Sequence, residues 1–353
     1  MNKLLALLLV LTLVLTFSAC GGGTEGGDDA ITQVTIGVVI PVATHNFTSE
    51  SVSHVKAEAA KLMAERKGLE IIIKTGLEAT NQISEIENLL ANYELDVIML
   101  WPLEGEALRS AAQSILDAGV ELVIYDRLIA DFDGIVGEVM GDNEGIGTMM
   151  GNYLTTYFAE DDQVNYLRFI GDASTVGVQR SAGMDGVLDP AKFVQNGETI
   201  IGGWSAEKSQ TELENWLAGR SIEEIEALDL IVTHDDEMVD GVMNALESYA
   251  GEAKINVKLI TSVGGREETL QKFEATKYKD LKLATFFFAP QFIRSSLQLT
   301  VAHAYGEEYP IAVAENGQYL IPSFAISNAG GESKTFEEYR NDPIYTERYS
   351  IFE

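Results

Sequence analysis

The chain has 353 residues, with 55 Asp and Glu against 24 Lys and Arg, which gives a formal net charge of −31. This charge argues against nucleic acid as a partner, because binding a phosphate backbone needs a cationic surface, and it disfavours electrostatic adsorption to anionic lipid. A single hydrophobic core rarely grows beyond roughly 250–300 residues, so the length predicts two lobes.

Residues 1–19 predict a cleaved signal that is not part of the fold. Lys3 supplies a positive start, and the apolar run from Leu4 to Phe17 is too short for a stable membrane span. The small pair Ser18-Ala19 precedes Cys20, the only cysteine of the chain. The arrangement resembles a bacterial lipoprotein signal, which implies that Cys20 is lipidated and becomes the first residue of the mature protein. The alternative is an ordinary cleaved signal with an incidental cysteine.

A glycine-rich, polar segment at residues 20–32 follows and is typical of a flexible tether. A tether between a lipid and a folded body places the body at the outer face of the cytoplasmic membrane. All later apolar runs fall short of the roughly 20 residues that a membrane helix needs. The sequence therefore predicts a folded part that contacts the membrane only through the lipid on Cys20.

From residue 34 onward, short β-branched runs alternate with helical patterns. The first series has predicted strands at 34–41, 70–75, 96–101, 121–126 and 135–141, and predicted helices at 49–66, 81–91 and 106–118. The second series has predicted strands at 164–171, 199–204, 228–234, 258–263, 281–288 and 319–326, and predicted helices at 144–158, 177–188, 207–218, 237–250, 267–275 and 291–305. This repetition predicts an α/β fold with two doubly wound, Rossmann-like lobes, each a parallel sheet with helices on both faces.

Aromatic, acidic and arginine side chains follow the predicted strands. Open α/β sheets bind ligands at the carboxyl ends of their strands, so these residues form the candidate site. Aromatic faces stack on the C–H faces of sugars, and Asp, Asn and Arg side chains hydrogen-bond to hydroxyls. The strand ends therefore predict a carbohydrate cleft, with candidates Asn46, Phe47, Trp101, Asp126 and Arg127 in the first lobe and Trp204, Asp235, Arg266 and Phe288 in the second.

Several segments resemble those of the ribose-binding-type periplasmic sugar-binding proteins, the type I solute-binding proteins of ABC importers. These segments are residues 122–127, 141–145, 179–183, 204–210 and 235–238. The resemblance extends over most of residues 34–326 and is specific in the combined spacing of its Asp-Arg, Gln-Arg and Asp-Glu-Met elements. It implies two lobes, joined by three crossing segments, that close over a sugar, and an ABC permease that receives the ligand.

The resemblance also implies where the lobes begin and end. The N-terminal lobe is expected to comprise residues 33–140 with 290–320, and the C-terminal lobe residues 141–289 with 321–335. Residues 336–353 are expected to form a C-terminal tail.

Individual roles follow from the same resemblance. Asp126 and Arg127 match the family's pair that hydrogen-bonds the ring and anomeric hydroxyls. Arg180 matches a second-lobe arginine that reaches the same hydroxyls, and Trp204 matches a stacking aromatic. Asp235 falls where the family often has Asn, and it keeps an acceptor for hydroxyl donors.

The remaining positions bear on which sugar is bound. Asn46 and Phe47 lie in the loop that usually supplies amide and aromatic contacts. Arg266 stands where ribose binders carry Asp, and Phe288 replaces a polar residue, so the ligand is expected to differ from ribose. With Arg266 included, the arginines of the site slightly outnumber its aspartates. A neutral, hexose-like sugar is the favoured ligand, and a sugar acid paired with Arg266 is the alternative.

Other kinds of chemistry find little support in the sequence. The histidines are scattered without metal-ligand spacing, so neither a metal nor another cofactor is predicted. Asp235 and Asp236 are neighbours at a predicted helix start, whereas the two carboxylates of a glycosidase face each other across roughly 5–10 Å. The glycines of residues 145–151 nearly spell a dinucleotide-binding fingerprint, but their spacing favours helix packing.

Taken together, these features predict a monomeric, non-enzymatic lipoprotein outside the cytoplasmic membrane that captures a sugar and delivers it to an ABC importer. The second hypothesis is a sensory binding protein that presents the sugar to a membrane kinase or chemoreceptor. The third is a secreted hydrolase, for which the sequence lacks a convincing pair of acid and base residues.

Overall fold

The computed structural model describes residues 32–309 and 317–352. The predicted signal, Cys20 and all but the last residue of the predicted tether lie outside the described residues. What the sequence predicts for that segment therefore stays a prediction.

The strands of the described residues are short and mostly buried, as the β-branched runs predict. They are β1 (Val34–Pro41), β2 (Leu69–Gly76), β3 (Val97–Leu100), β4 (Glu121–Tyr125), β5 (Gly137–Gly141), β6 (Val164–Ile170), β7 (Phe193–Gln195), β8 (Ile200–Ile201), β9 (Leu230–Thr233), β10 (Leu259–Val263), β11 (Lys282–Phe286), β12 (Gln318–Ile321) and β13 (Ala325–Ser327).

The helices of the described residues alternate with these strands. They are α1 (Asn46–Glu65), α2 (Ala79–Asn92), α3 (Gly105–Asp117), α4 (Asn143–Tyr157), α5 (Thr175–Asp185), α6 (Ala206–Ala218), α7 (Ile222–Glu226), α8 (Asp236–Ser248), α9 (Glu267–Ala275), α10 (Ile293–Ala304), α11 (Phe336–Arg340) and α12 (Pro343–Tyr349). A single 3₁₀ turn, Pro290–Phe292, precedes α10 within the described residues.

The strands form two sheets, and both are dominated by parallel pairs. The first sheet has the order β12-β5-β4-β3-β1-β2 and is parallel throughout. In β1, the side chains of Ile36, Val38 and Ile40 are fully buried, because helices cover both faces of a parallel sheet. The second sheet has the order β13-β11-β10-β9-β6-β7, with β8 also paired to β6, and its edge strand β13 runs antiparallel to β11. The two-sheet α/β architecture is as predicted.

The described chain passes between the two sheets three times, first between β5 and β6, then between β11 and β12, and last between β12 and β13. The last passage explains why the predicted strand 319–326 is divided in two. Pro322 follows the end of β12 and has no N–H to donate to the ladder, so the strand stops there. The chain then enters the second sheet as β13.

The C-terminal segment is more structured than its sequence pattern indicates. Residues 336–352 contain α11 and α12. The side chains of Phe336 and Tyr339 on α11 are buried in the core of the second sheet, and the Tyr339 hydroxyl donates to the Gly265 carbonyl over 2.8 Å. The predicted tail thus packs against the loop that follows β10.

Helices α4 and α5 pack closely through glycine. A Cβ built on Gly147 would lie 2.1 Å from the carbonyl oxygen of Arg180, and one built on Gly183 would lie 2.0 Å from that of Glu144. No side chain fits at such distances, so the two backbones touch only because both residues are glycine. The glycines around residue 147 therefore serve helix packing, as predicted, and this packing holds Arg180 against the start of α4.

We predict that Gly183→Ala lowers the free energy of unfolding by about 1–3 kcal/mol, because the added methyl must push α4 and α5 apart. Gly186→Ala is the matched control, since its Cβ would come no closer than 3.4 Å to a neighbouring atom, the carbonyl oxygen of Ala182. Urea unfolding of both variants measures the difference. Equal stability of the two variants would contradict the packing argument.

Candidate functional site

A cavity lies where the carboxyl ends of the strands of both sheets meet. Its volume is about 620 Å³ when the space at its mouth is included. Most of the residues predicted from the strand ends line it, together with Arg180 on α5. They are Phe47, Trp101, Asp126, Arg127, Arg180, Trp204, Asp235 and Phe288.

Two predicted site residues, Asn46 and Arg266, do not line this cavity. The backbone N–H of Asn46 donates to Glu237 Oε2 over 2.9 Å, a hydrogen bond between the lobes at the edge of the cleft. The Arg266 guanidinium forms ion pairs with Asp240 over 2.6 Å and with Glu268 over 3.1 Å. Because these carboxylates already neutralise Arg266, the structure does not support its predicted role as a ligand contact.

Trp204 is held in the cavity wall by an unusual backbone and a glycine beneath its ring. Its φ of 56° lies in the left-handed region, which non-glycine residues seldom adopt. A Cβ built on Gly171 would lie 1.9 Å from the indole ring, so the ring lies directly on that backbone. The indole N–H donates to Asp172 Oδ2 over 2.8 Å. The ring is thereby presented to the cavity in one orientation.

Three further aromatic residues form a packed wall across the lobes. Phe47 stacks on Phe288 with ring centroids 5.7 Å apart and an interplanar angle of 21°. Phe47 also meets the edge of Trp101, with centroids 5.9 Å apart. A Cβ on Gly141 would lie 2.8 Å from the Phe288 ring, so this ring too needs a glycine beside it. The wall gives the cavity an apolar side, and the Arg180 guanidinium lies 5.9 Å from the centroid of the Phe288 ring.

Arg180 is the buried cation of the site. Its side chain is fixed by two hydrogen bonds, from Nε to Asn143 Oδ1 over 2.9 Å and from Nη1 to the His234 carbonyl over 2.6 Å. Burial lowers its pKa to about 10, although the nearby carboxylates of Asp126 and Asp235 oppose the shift. The guanidinium therefore stays charged at neutral pH and has further N–H groups for a ligand.

Asp126 faces Arg180 from the first lobe. Its φ of 64° is a second left-handed backbone at the site. Burial raises its pKa, while the positive charges of Arg127 and Arg180 lower it in part. Two non-glycine residues in this rare conformation, Asp126 and Trp204, thus sit on opposite lobes of the same cavity.

Asp235 both begins α8 and lines the cavity. Its Oδ1 accepts from the backbone N–H groups of Glu237 and Met238 over 2.8 and 3.4 Å. Burial raises its pKa to about 7, and the negative charges of Asp236 and Glu237 add to the effect. Asp236 turns away from the cavity and accepts hydrogen bonds from Ser262 and Thr285. The two adjacent carboxylates therefore point in different directions, as predicted.

His45 and Asp172 are residues of the site that the strand-end argument did not select. His45 lines the cavity at the start of α1, and burial, assisted by the charge of Arg127, lowers its pKa to about 4. It is therefore a neutral imidazole that can both donate and accept at physiological pH. Asp172 follows β6 and contacts the lining residues Arg127 and Trp204. Both residues lie just after a strand, so their position at a strand end is the sequence signal that could have identified them.

The chain belongs to the periplasmic binding protein domain family, which it matches over residues 36–308. It is 28% identical over 203 residues to the D-xylose-binding periplasmic protein of Haemophilus influenzae, a match that covers 55% of this chain and 58% of that relative's own length. It is 24% identical over 263 residues to the ribose import binding protein RbsB of Bacillus subtilis, covering 74% of this chain and 78% of the relative.

Solved structures share the fold. A galactofuranose-binding protein superposes with a TM-score of 0.69 at 17% identity, covering 83% of this chain and 94% of the other. A solute-binding protein of a Clostridium phytofermentans ABC transporter, with bound β-D-glucose, superposes with a TM-score of 0.71 at 18% identity, covering 87% and 95%. The likeness confirms the predicted type I periplasmic-binding-protein fold.

Over residues 32–309 and 317–352, no helix has the length and apolar character needed to cross a membrane. In the same part of the chain, no three His, Cys, Asp or Glu side chains are grouped so that they could hold a metal ion.

We predict that Asp235→Asn stabilises the protein more at pH 8 than at pH 5. The folded pKa of Asp235 is raised from 3.8 to about 7, so the folded state binds its proton more tightly than the unfolded state. Stability that depends on this proton is present below about pH 4 and is lost as the pH rises through 7, and the loss between pH 5 and 8 is on the order of 2–3 kcal/mol. The Asn variant, which still caps α8, does not suffer this loss.

Urea unfolding of the wild type and of Asp235→Asn at pH 5 and pH 8 measures the effect. The exposed Asp162, changed to Asn, controls for the removal of one negative charge from a strongly acidic chain. If the difference between wild type and Asp235→Asn were the same at both pH values, the assignment of a raised pKa to Asp235 would be wrong.

Proposed function

We propose that the protein captures a neutral monosaccharide of about hexose size between its two lobes and delivers it to the permease of an ABC importer. The observation that carries this proposal is the composition of the cavity wall. Aromatic faces and oppositely charged side chains from both lobes converge on one space. Sugars combine apolar C–H faces with hydroxyls that both donate and accept, so they match such a wall.

The charge balance of the cavity favours a neutral ligand. With Arg266 paired to Asp240 and Glu268, the arginines that line the cavity are Arg127 and Arg180. Arg127 pairs with Asp172, and Arg180 lies near the carboxylates of Asp126 and Asp235. These contacts remove the positive excess that a sugar acid would need. A neutral sugar can instead interact with side chains of both charges, because each hydroxyl can donate to a carboxylate and accept from a guanidinium.

The known binding partners of the relatives support a sugar of this class. Names among the relatives refer to D-xylose and ribose, and bound molecules among the structural neighbours include β-D-glucose and myo-inositol. We infer that the protein binds without covalent chemistry, because one oxygen of Asp235 is committed to capping α8 and Asp236 is committed to Ser262 and Thr285.

We predict that a neutral monosaccharide raises the melting temperature, and that Trp204→Ala weakens its binding by about 1–3 kcal/mol through loss of a rigid aromatic face. The probes are D-xylose, D-ribose, D-glucose and D-galactose, with D-galacturonate as the sugar acid. Thermal shift identifies the binder, and isothermal titration calorimetry gives its dissociation constant. Trp216→Ala is the matched control, because Trp216 lies on α6 and does not line the cavity.

The two parts of this proposal fail in different ways. Tighter binding of D-galacturonate than of every neutral sugar would contradict the neutral ligand. An unchanged dissociation constant in Trp204→Ala would mean that the sugar is bound elsewhere.

We also propose that Cys20 carries a lipid that holds the protein at the outer face of the cytoplasmic membrane. The support is the sequence Ser18-Ala19-Cys20 after an apolar run and before a glycine-rich segment. Cys20→Ser is predicted to abolish labelling by radioactive palmitate and to release the protein from the membrane fraction or leave it unprocessed. Cys20 is the only cysteine, so palmitate labelling that persists in the variant would contradict lipidation at this residue.

A further inference from the structure

One carboxylate oxygen joins the two lobes at the edge of the cavity. Asp172 Oδ2 accepts from Trp204 Nε1 over 2.8 Å, and it forms an ion pair with Arg127 Nη2 over 3.3 Å. Trp204 and Asp172 follow strands of the second sheet, whereas Arg127 follows β4 of the first. The other oxygen, Oδ1, accepts from the backbone N–H of Ser174 over 3.0 Å, which anchors the carboxylate to its own loop.

We propose that Asp172 is a positioning residue that orients the Trp204 ring and, through Arg127, favours the arrangement in which the lobes touch. The part of this inference that concerns sugar affinity rests on the function proposed above. The part that concerns the two lobes does not require any ligand.

The orientation of Trp204 needs such a contact. The left-handed backbone of residue 204 and the contact with Gly171 determine where the indole ring lies. They do not determine which way its N–H points, so a polar partner is needed to fix the orientation of the ring. A hydrogen bond from an indole N–H to a carboxylate is charge-assisted and directional. Asp172 therefore selects the ring orientation that presents the indole to the cavity.

The tie between the lobes also depends on the second terminal nitrogen of the Arg127 guanidinium, Nη1. Arg127 Nη1 donates to the carbonyl of Leu103, and this hydrogen bond fixes the guanidinium to the first lobe. The ion pair with Asp172 therefore connects two anchored groups. The side chains of the pair are 17% and 36% exposed, so solvent screens their attraction only in part. An interaction between two lobes that exists only when they touch shifts the population toward the closed form.

Asp172 is charged under ordinary conditions. Burial raises its pKa, but Arg127 and hydrogen bonds from Ser174 and Trp204 lower it further, so the pKa lies below its usual value. The groups that face this carboxylate include the neutral imidazole of His45, whose own pKa is sensitive to both Arg127 and Asp172. The ion pair is therefore present throughout the physiological pH range.

Two substitutions separate the two roles. Asp172→Asn has one oxygen acceptor; turned toward Trp204, it keeps that hydrogen bond, loses the one from the Ser174 N–H and removes the charge that faces Arg127. Asp172→Ala removes both interactions. The exposed Asp162, changed to Asn, is the control for loss of a negative charge in the second lobe.

The first readout is the distance between the lobes without sugar. Spin labels are attached to cysteines introduced at the exposed positions Glu87 on α2 and Asn215 on α6, in the full chain with Cys20 changed to Ser. Electron–electron double resonance is expected to show longer distances in Asp172→Asn and Asp172→Ala than in wild type and Asp162→Asn. Identical distributions in all four proteins would overturn the tie between the lobes.

The second readout is affinity for D-xylose, D-ribose and D-glucose by calorimetry. Loss of a partly exposed ion pair should weaken binding about 2- to 5-fold in Asp172→Asn. Asp172→Ala should lose a further factor of about 2 to 10, because the hydrogen bond to Trp204 is also gone. Equal affinity of the Asn and Ala variants would overturn the orientation of Trp204 by Asp172. If no sugar binds to wild type while the distances still shift, the proposed function fails and the tie between the lobes stands.

Discussion

The structure of the site depends on one geometric constraint, namely that both sheets turn the carboxyl ends of their parallel strands toward a common cleft. Side chains that follow β1, β3 and β4 thereby meet side chains that follow β8, β9 and β11. The three passages of the described chain between the sheets keep the lobes together while allowing the cleft to be shared. Because each strand end contributes one or two residues, a mixed wall of rings and charges arises without any single contiguous motif.

Burial then determines how the charges of the cleft behave. Arg180 remains a cation because Asp126 and Asp235 lie near it, even though desolvation lowers its pKa. The pKa of Asp235 is raised, which favours the neutral acid, because burial and the adjacent carboxylates outweigh the effect of Arg180. The cleft thus offers firm donors and, in Asp235, a carboxyl group that changes protonation state near neutral pH. Hydroxyl groups, which donate and accept, suit such surroundings better than a ligand with a fixed charge.

Alternation of β-branched runs and helical patterns was enough to predict two mainly parallel sheets, and the strand-end rule predicted seven of the residues that line the cavity. The pattern could not predict which side chains pair with one another in the folded protein. Arg266 follows β10 as expected, but it pairs with Asp240, a residue 26 positions away on α8, and this pairing depends on how α8 and α9 pack. Asp172 likewise gains its importance from Arg127 on the opposite lobe, a contact that exists only in three dimensions.

The crystal structure of the protein with its tightest-binding monosaccharide, D-xylose or D-glucose for example, tests the central claim most directly. We expect the sugar ring to lie against Trp204, with hydroxyls within hydrogen-bonding distance of Asp126 on one lobe and Arg180 on the other. A sugar that contacts only one lobe, or that lies outside the cleft at the carboxyl ends of the strands, would contradict the account.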